Sequence, residues 1–191
     1  MSFMLPLTVA HAEYYAGVDG VYMDGRIIFG NGRTTFQMPT TRIRFGQRLE
    51  EMGWEIQALA PARDTGTFTG FVGAENEYKL NYGVGILWTA ASRDRRWHGG
   101  IGFAQMSTNV DFLVSNVSVY NGFDNTQYFV LNFGGQFPLS KNGAVTLDYG
   151  YYQGRVKCPI CSTFGTPPPG SIISSPEVQI HSLSLGFNYS F

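Results

Sequence analysis

The last nine residues, Leu183-Ser184-Leu185-Gly186-Phe187-Asn188-Tyr189-Ser190-Phe191, put a large apolar side chain on every odd position and a small or polar one on every even position. Successive side chains of a β-strand point to opposite faces, so this period of two reads as a strand with one apolar and one polar face. Such a strand fits a half-buried sheet in water. It also fits a barrel wall with lipid outside and a polar lumen within.

The same alternation recurs seven times upstream. Strand one, about Tyr14 to Met23, sets Tyr14, Ala16, Val18, Gly20 and Tyr22 against Tyr15, Gly17, Asp19 and Val21. Strand two, about Thr41 to Leu49, sets Ile43, Phe45 and Leu49 against Arg42, Arg44, Gly46 and Arg48. Strand three, about Trp54 to Ala60, carries Trp54, Ile56 and Ala58 on one face and Glu55 and Gln57 on the other. Strand four, about Tyr78 to Thr89, alternates Leu80, Tyr82, Val84, Ile86 and Trp88 with Asn81, Gly83, Gly85 and Leu87. Strand five runs about Trp97 to Met106, strand six about Gln127 to Leu139, strand seven about Val145 to Gln153, and strand eight from Val178 to the end.

The connections between these strands alternate long, short, long, short, long, short, long. The short ones are Glu50-Glu51-Met52-Gly53, Ala91 to Arg96 and Lys141-Asn142-Gly143; Asn-Gly is a tight hairpin signal. The long ones span about Asp24 to Thr40, Pro61 to Glu77, Ser107 to Thr126 and Gly154 to Glu177. The third holds Val110 to Val114 and Val117 to Tyr120, which read as strands extending above the membrane. Even strand number, short turns at one end and longer loops at the other are the pattern of outer-membrane barrels. A soluble barrel would turn the polar face outward, yet that face is rich in glycine, including Gly83, Gly85, Gly100 and Gly102, and would leave a bare exterior. The expected fold is all-β: an eight-stranded antiparallel up-and-down transmembrane β-barrel over residues 13 to 191.

The chain has 191 residues, 14% of them charged, and a net charge of -1; no basic arm suggests nucleic acid. Residues 1–12, ending in Ala10-His11-Ala12, read as a truncated secretory signal with an A-x-A cleavage site. Export would place Cys158 and Cys161 in an oxidising compartment. The Cys158-Pro159-Ile160-Cys161 spacing has no βαβ context for a redox motif and no further ligands for zinc, so a small loop disulfide is the expected state. No cofactor or metal is expected.

A strand that alternates to a carboxy-terminal Phe resembles the closing strand of bacterial outer-membrane barrels. There Leu183, Leu185, Phe187, Tyr189 and Phe191 would form the signal read by the barrel-assembly machinery. The stretch Val178 to Phe187 resembles the final strand of the small OmpA-like, opacity-type barrels. That resemblance implies a multi-pass protein of the bacterial outer membrane. Its partners would be the bilayer and its lipopolysaccharide, with periplasmic chaperones during biogenesis. Its loops would serve envelope integrity, adhesion or binding of a host or surface ligand. A small porin-like channel is the alternative.

If strand one rises from the periplasm, Tyr14, Trp54, Trp88, Trp97, Phe137 and Phe191 share the lipid face at the periplasmic level, where aromatics favour the headgroup interface. Tyr22, Tyr78, Tyr151 and Phe129 would form the upper girdle. Eight strands leave room for little but side chains inside. Asp19, Glu55 and Asp148 with Arg42 and Arg44 should then form a lumenal ion network, with Arg44 and Asp19 the preferred pair and Arg48 solvated near its turn. A lipid A-modifying enzyme would need a Ser nucleophile beside a His base. His181 is the one candidate base near the top of the barrel, but parity sets it on the lipid face while Ser182 and Ser184 face the lumen.

Overall fold

The computed structural model describes residues 12–29, 32–64, 69–70, 74–114, 117–156 and 177–191. Its strands are β1 (Ala12–Phe29), β2 (Gly32–Leu49), β3 (Met52–Leu59), β4 (Ala62–Arg63), β5 (Thr69–Gly70), β6 (Ala74–Ala91), β7 (Trp97–Val114), β8 (Val117–Pro138), β9 (Gly143–Arg155) and β10 (Glu177–Ser190). All pairings are antiparallel, in the order β3-β2-β1-β10-β9-β8-β7-β6, and β3 pairs with β6 to close the cylinder. The short β4 and β5 continue along β6 above β3, so the wall has eight staves. Pro61, which has no N–H to give a ladder, lies two residues past the end of β3.

The short connections, the start of β1 and the end of β10 gather at one end of the barrel. Phe191 N–H donates to Tyr14 O at 3.0 Å, and Ser190 N–H to Asn142 O at 2.8 Å. Glu50 and Arg95 adopt positive φ (55° and 57°), the left-handed conformation that tight turns require.

At the opposite end the strands run well past the expected stops. The stretch read as a first long connection, Asp24 to Thr40, is mostly ladder: Asp24 pairs with Gln37, Arg26 with Thr35 and Ile28 with Arg33. Asp24-Gly25 and Pro39 lie within strands, Pro39 on an upper part of β2 that has no strand ladder with β3. β7 and β8 likewise stay paired to Val114 and Val117, as the apolar runs there suggested. Of the signal-like residues 1–12 only Ala12, which begins β1, is described; the rest, and the Cys158/Cys161 pair, lie outside the described residues.

Burial explains the extension. In the lower half, next to the short turns, large apolar residues are on the outside: Val18, Ile43, Ile86, Phe103, Phe133 and Leu185 are all exposed. In the upper half the faces exchange character. Met23, Ile27, Phe36, Met38, Leu80, Met106, Val130, Val178 and Ile180 fill the interior, while Asp24, Arg26, Gln37, Lys79, Gln127 and Gln153 lie on the outside. The lower wall is built for lipid, the upper one for water.

On β6 the exchange is made by a β-bulge. The register of β6 against β7 shifts between Leu80 and Tyr82, leaving Asn81 outside the pairing. The inserted residue turns everything above it to the other face. Leu80, expected beside Tyr82 on the lipid face, is therefore fully buried. Tyr78, expected in the upper girdle, is 1% exposed and stacks on Phe36 inside the barrel at 4.3 Å between ring centroids.

Candidate functional site

The lower lumen is crossed by an ion network drawn from five strands. Asp19 on β1 accepts from Arg42 Nε (2.8 Å) and Arg44 Nη2 (2.7 Å). Asp148 on β9 accepts from Arg42 Nη2 at 2.8 Å and lies 3.2 Å from Arg44 Nη1, which is also 3.7 Å from Glu55 Oε2 on β3. Arg42 further donates to Ser184 Oγ (2.9 Å), and Arg44 to Thr146 Oγ1 (2.8 Å). Glu55 accepts from Tyr15 Oη (2.9 Å) and Gln57 Nε2 (2.6 Å). Both arginines are 1% exposed, so each guanidinium exchanges its hydration for charged and hydroxyl partners that span the barrel.

The glycines of the polar face make this crossing possible. A Cβ at Gly186 would stand 2.7 Å from Asp19 Cγ, and one at Gly134 2.9 Å from Asp148 Cγ. The missing side chains leave the volume in which the two carboxylates lie flat against the wall.

Two members of the region were not read from the sequence as they stand. His98 Nε2 is 2.7 Å from Asp148 Oδ1, joining β7 to the network; its position one residue inside a strand start gave no sign of this. Arg48, expected to be solvated, is buried with its guanidinium 5.3 Å from the centroid of the Tyr15 ring, because that ring lines the mouth and offers a π face. Beneath the network is a recess lined by Tyr15, Arg48, Glu55, His98, Asn132 and Asn188.

Above the network the apolar core closes the lumen a second time. Met23, Met38, Leu80, Met106, Tyr128 and Ile180 are each at most 1% exposed.

On the outer surface, the aromatics at the short-turn end are tied together. Tyr14 stacks on Phe45 and Phe191, Phe45 meets Trp54, and Trp97 stacks on Phe133. Trp54 Nε1 donates to Gln47 Oε1 (2.9 Å) and Gln47 Nε2 to Tyr14 Oη (3.0 Å), which satisfies the polar edges of two girdle residues. Trp88 pairs with Trp54 across β3 and β6, and Phe137 is exposed at the end of β8. Leu183, Leu185, Phe187, Tyr189 and Phe191 all lie outward on β10 and its end.

His181 is also on the outer face, with Tyr149 Oη 2.5 Å from its Nδ1 and the Tyr151 ring 5.2 Å away. Ser182 and Ser184 are buried on the inner face, and Ser184 serves Arg42. The wall thus separates the base from either hydroxyl. Among the described residues no group of three or more His, Cys, Asp or Glu side chains gathers to hold a metal ion.

A cylinder with an apolar outer belt, a charge-bridged lower lumen and polar strand ends is a membrane β-barrel of the outer-membrane class. Known structures of that class share the fold. The chain is similar to Neisserial surface protein A (TM-score 0.57, 14% identity, 95% of this chain and 99% of that one). It is similar to Ail, the attachment invasion locus protein of Yersinia pestis, seen in complex with the heparin analogue sucrose octasulfate (TM-score 0.55, 14% identity, 95% and 99% covered). It is also similar to the outer membrane protein OprG from Pseudomonas aeruginosa (TM-score 0.52, 13% identity, 95% and 96% covered). No model of a known protein family matches the chain, and no curated protein matches it in sequence.

Proposed function

We propose that this chain is a non-enzymatic barrel of the bacterial outer membrane, OmpA-like or opacity-type in role. Its work is done by the upper strand ends and their connections, in adhesion, host-surface binding or envelope integrity. The observation that carries this reading is the double closure of the lumen, by the Arg42/Arg44/Asp19/Asp148 network below and the methionine-rich core above. A wall closed twice leaves the outward-projecting strands as its accessible chemistry. The fold it shares with Ail, an attachment protein by name, supports the same direction.

The test joins two measurements on one strain. Cells carrying the protein, and cells carrying a variant with the Val110–Tyr120 hairpin trimmed, are compared for binding to host cells and for detergent sensitivity, while the purified barrel is examined in planar bilayers. Loss of binding or resistance with the trimmed hairpin, and no steady conductance, is the expected result. Large, stable channels from the intact barrel would make it a small porin instead, and altered lipid A acylation in the cells would revive an enzymatic reading.

Biogenesis follows from the same reading: chaperones and the barrel-assembly machinery would recognise Leu183, Leu185, Phe187, Tyr189 and Phe191. Changing Phe191 and Tyr189 to Ser should lower the amount of heat-modifiable, folded barrel in the outer membrane. Unchanged amounts would rule the signal out. For orientation, single cysteines in a background with Cys158 and Cys161 changed to Ser are diagnostic: one replacing Asn142 should resist an impermeant thiol reagent on intact cells, and one replacing Glu77 should label.

A further inference from the structure

The outer face changes from apolar to polar at a level marked by one residue type. Gln37, Gln105, Gln127, Gln153 and Gln179 lie on the outside of β2, β7, β8, β9 and β10 just past the apolar belt. Gln105 is the direct cross-strand partner of Gln127, and Gln179 of Gln153. Each pair tops a strand whose next outward residues below are Phe103, Phe129, Tyr151 and His181. On β8, Phe137 marks the lower girdle and Gln127 lies about ten residues further up, the length with which a tilted strand crosses the hydrocarbon. The glutamines therefore stand at the depth of the headgroups of the far leaflet.

Their chemistry is neutral. A primary amide offers two N–H donors and a carbonyl acceptor at once, the complement of sugar hydroxyls, which also donate and accept. Recognition of phosphate is built instead from clustered Lys and Arg, whereas the cations at this level are interspersed with carboxylates and amides. Arg26 is bound through Nε to Gln179 Oε1 (2.8 Å), Lys79 is the cross-strand partner of Arg63, whose Nη1 lies 3.9 Å from Glu77 Oε1, and Arg155 is the cross-strand partner of Glu177. Gln153 and Gln179 both donate to Glu177 Oε1, at 2.9 and 2.7 Å, so these two amides are held in a fixed array on the surface. Aromatic faces immediately below, at Phe103, Phe129 and Tyr151, add flat apolar surfaces against which a sugar ring can lie.

We infer that this glutamine collar is a docking surface for the sugar headgroups of glycolipid in the surrounding leaflet, read through neutral hydrogen bonds rather than through phosphate charge. The inference rests on the outer-membrane reading above, with the glutamine end facing out of the cell. It would couple the barrel to the glycan layer on the side where its functional strands project.

The experiment uses the refolded full chain in phospholipid nanodiscs doped with purified lipopolysaccharide, intact or enzymatically dephosphorylated, and counts retained glycolipid by native mass spectrometry. Wild type should retain both forms to a similar degree. A variant with Gln105→Leu, Gln127→Leu, Gln153→Leu and Gln179→Leu should retain either about tenfold less. Arg63→Gln with Lys79→Gln, which removes the adjacent pair of cations and leaves every glutamine partner in place, should retain what wild type retains. Should the fourfold variant not fold, wild type alone still decides, because lipid-free core oligosaccharide should displace bound lipopolysaccharide. Equal retention by the fourfold variant, no displacement by oligosaccharide, or loss of retention on dephosphorylation would each overturn the inference. Because binding in nanodiscs does not depend on orientation in the cell, a wrong membrane orientation would show separately, in the cysteine labelling.

Discussion

Below the level of Tyr22 the wall carries its apolar side chains outside and its charges inside; above Tyr22 the same strands carry polar side chains outside and an apolar core inside. The wall keeps eight antiparallel staves across the boundary, and its register shifts there at the β6 bulge. What differs is the medium against the outer face, and each half puts against it the face that medium tolerates. The interior then takes the opposite character. In the lower half it must hold residues such as Arg42 and Arg44 away from bulk water, which succeeds only because Asp19, Asp148, Glu55, Ser184 and Thr146 meet them at hydrogen-bond or ion-pair distance. In the upper half the interior is an ordinary protein core. The two halves should therefore fail differently when cut.

The largest effect is expected in the ionic half. Arg44→Ala leaves Asp19 with one cation fewer and Glu55 with no arginine in the network, and removing one member of a buried pair costs about 3–5 kcal/mol. Urea unfolding in micelles measures it; a change of about 0.5 kcal/mol or less, as at an ordinary surface position, would mean that water rather than protein compensates these charges. The double change Arg44→Met with Glu55→Gln should cost less than Arg44→Ala alone, since Asp19 and Asp148 both keep Arg42 and no carboxylate of the network is left without a cation. In the apolar half Leu80→Ala should cost about 2–5 kcal/mol through lost contacts and a residual cavity. If Leu80 instead faced lipid beside Tyr82, as the plain alternation suggests, no cavity would form and the loss would be smaller.

That last contrast shows where sequence is and is not legible. Within the lipid belt the alternation of Tyr14 to Tyr22, Val145 to Tyr151 and Leu183 to Phe191 assigns faces correctly, because lipid makes one strict demand on every outward residue. Above the belt the demand reverses. On β1 the apolar positions move from even (Val18, Tyr22) to odd (Met23, Ile27), so the period appears to break and Asp24-Gly25 looks like a turn. On β6 the bulge at Asn81 inserts one residue at the same boundary, so the period appears unbroken through Leu80 and Tyr78 although the face has changed. The first error shortened a real strand, and the second kept a strand but turned its top the wrong way. The five charged residues of the network could be named from parity, since they lie on inward positions of the belt. His98 shares the inward parity of its strand, but it stands one residue inside the strand start, where no local pattern separates a network member from a residue of the rim.

A charge scan locates the boundary directly. Ile86→Arg, on the lipid face near the middle of β6, should cost about 2–4 kcal/mol, whereas Gln105→Arg at the collar should cost no more than about 1 kcal/mol. Similar costs at both positions would mean that the apolar belt extends over the glutamines, and the comparison of halves would lose its dividing line.

The smallest effect lies at the lower rim, outside both halves. Asp94, in the turn between β6 and β7, accepts from Ser92 Oγ at 2.6 Å and from the Arg96 N–H at 3.2 Å, and these bonds hold its carboxyl below the usual carboxylate range, with Arg96 adding a little by charge. A carboxyl held low in the folded state contributes stability that is present above its ordinary range and is lost as pH falls through the folded value. Asp94→Asn removes that contribution while keeping the turn shape. Wild type should therefore be slightly the more stable of the two at neutral pH, and the difference should fade as the solution is acidified below the ordinary carboxylate range. Unfolding of the two proteins in micelles across that range measures it. Because the group is fully exposed, the gap should also shrink with added salt, in contrast to the cost of Arg44→Ala, whose buried partners are shielded far less; an Arg44→Ala cost that fell with salt in parallel would place the lower lumen in contact with bulk water.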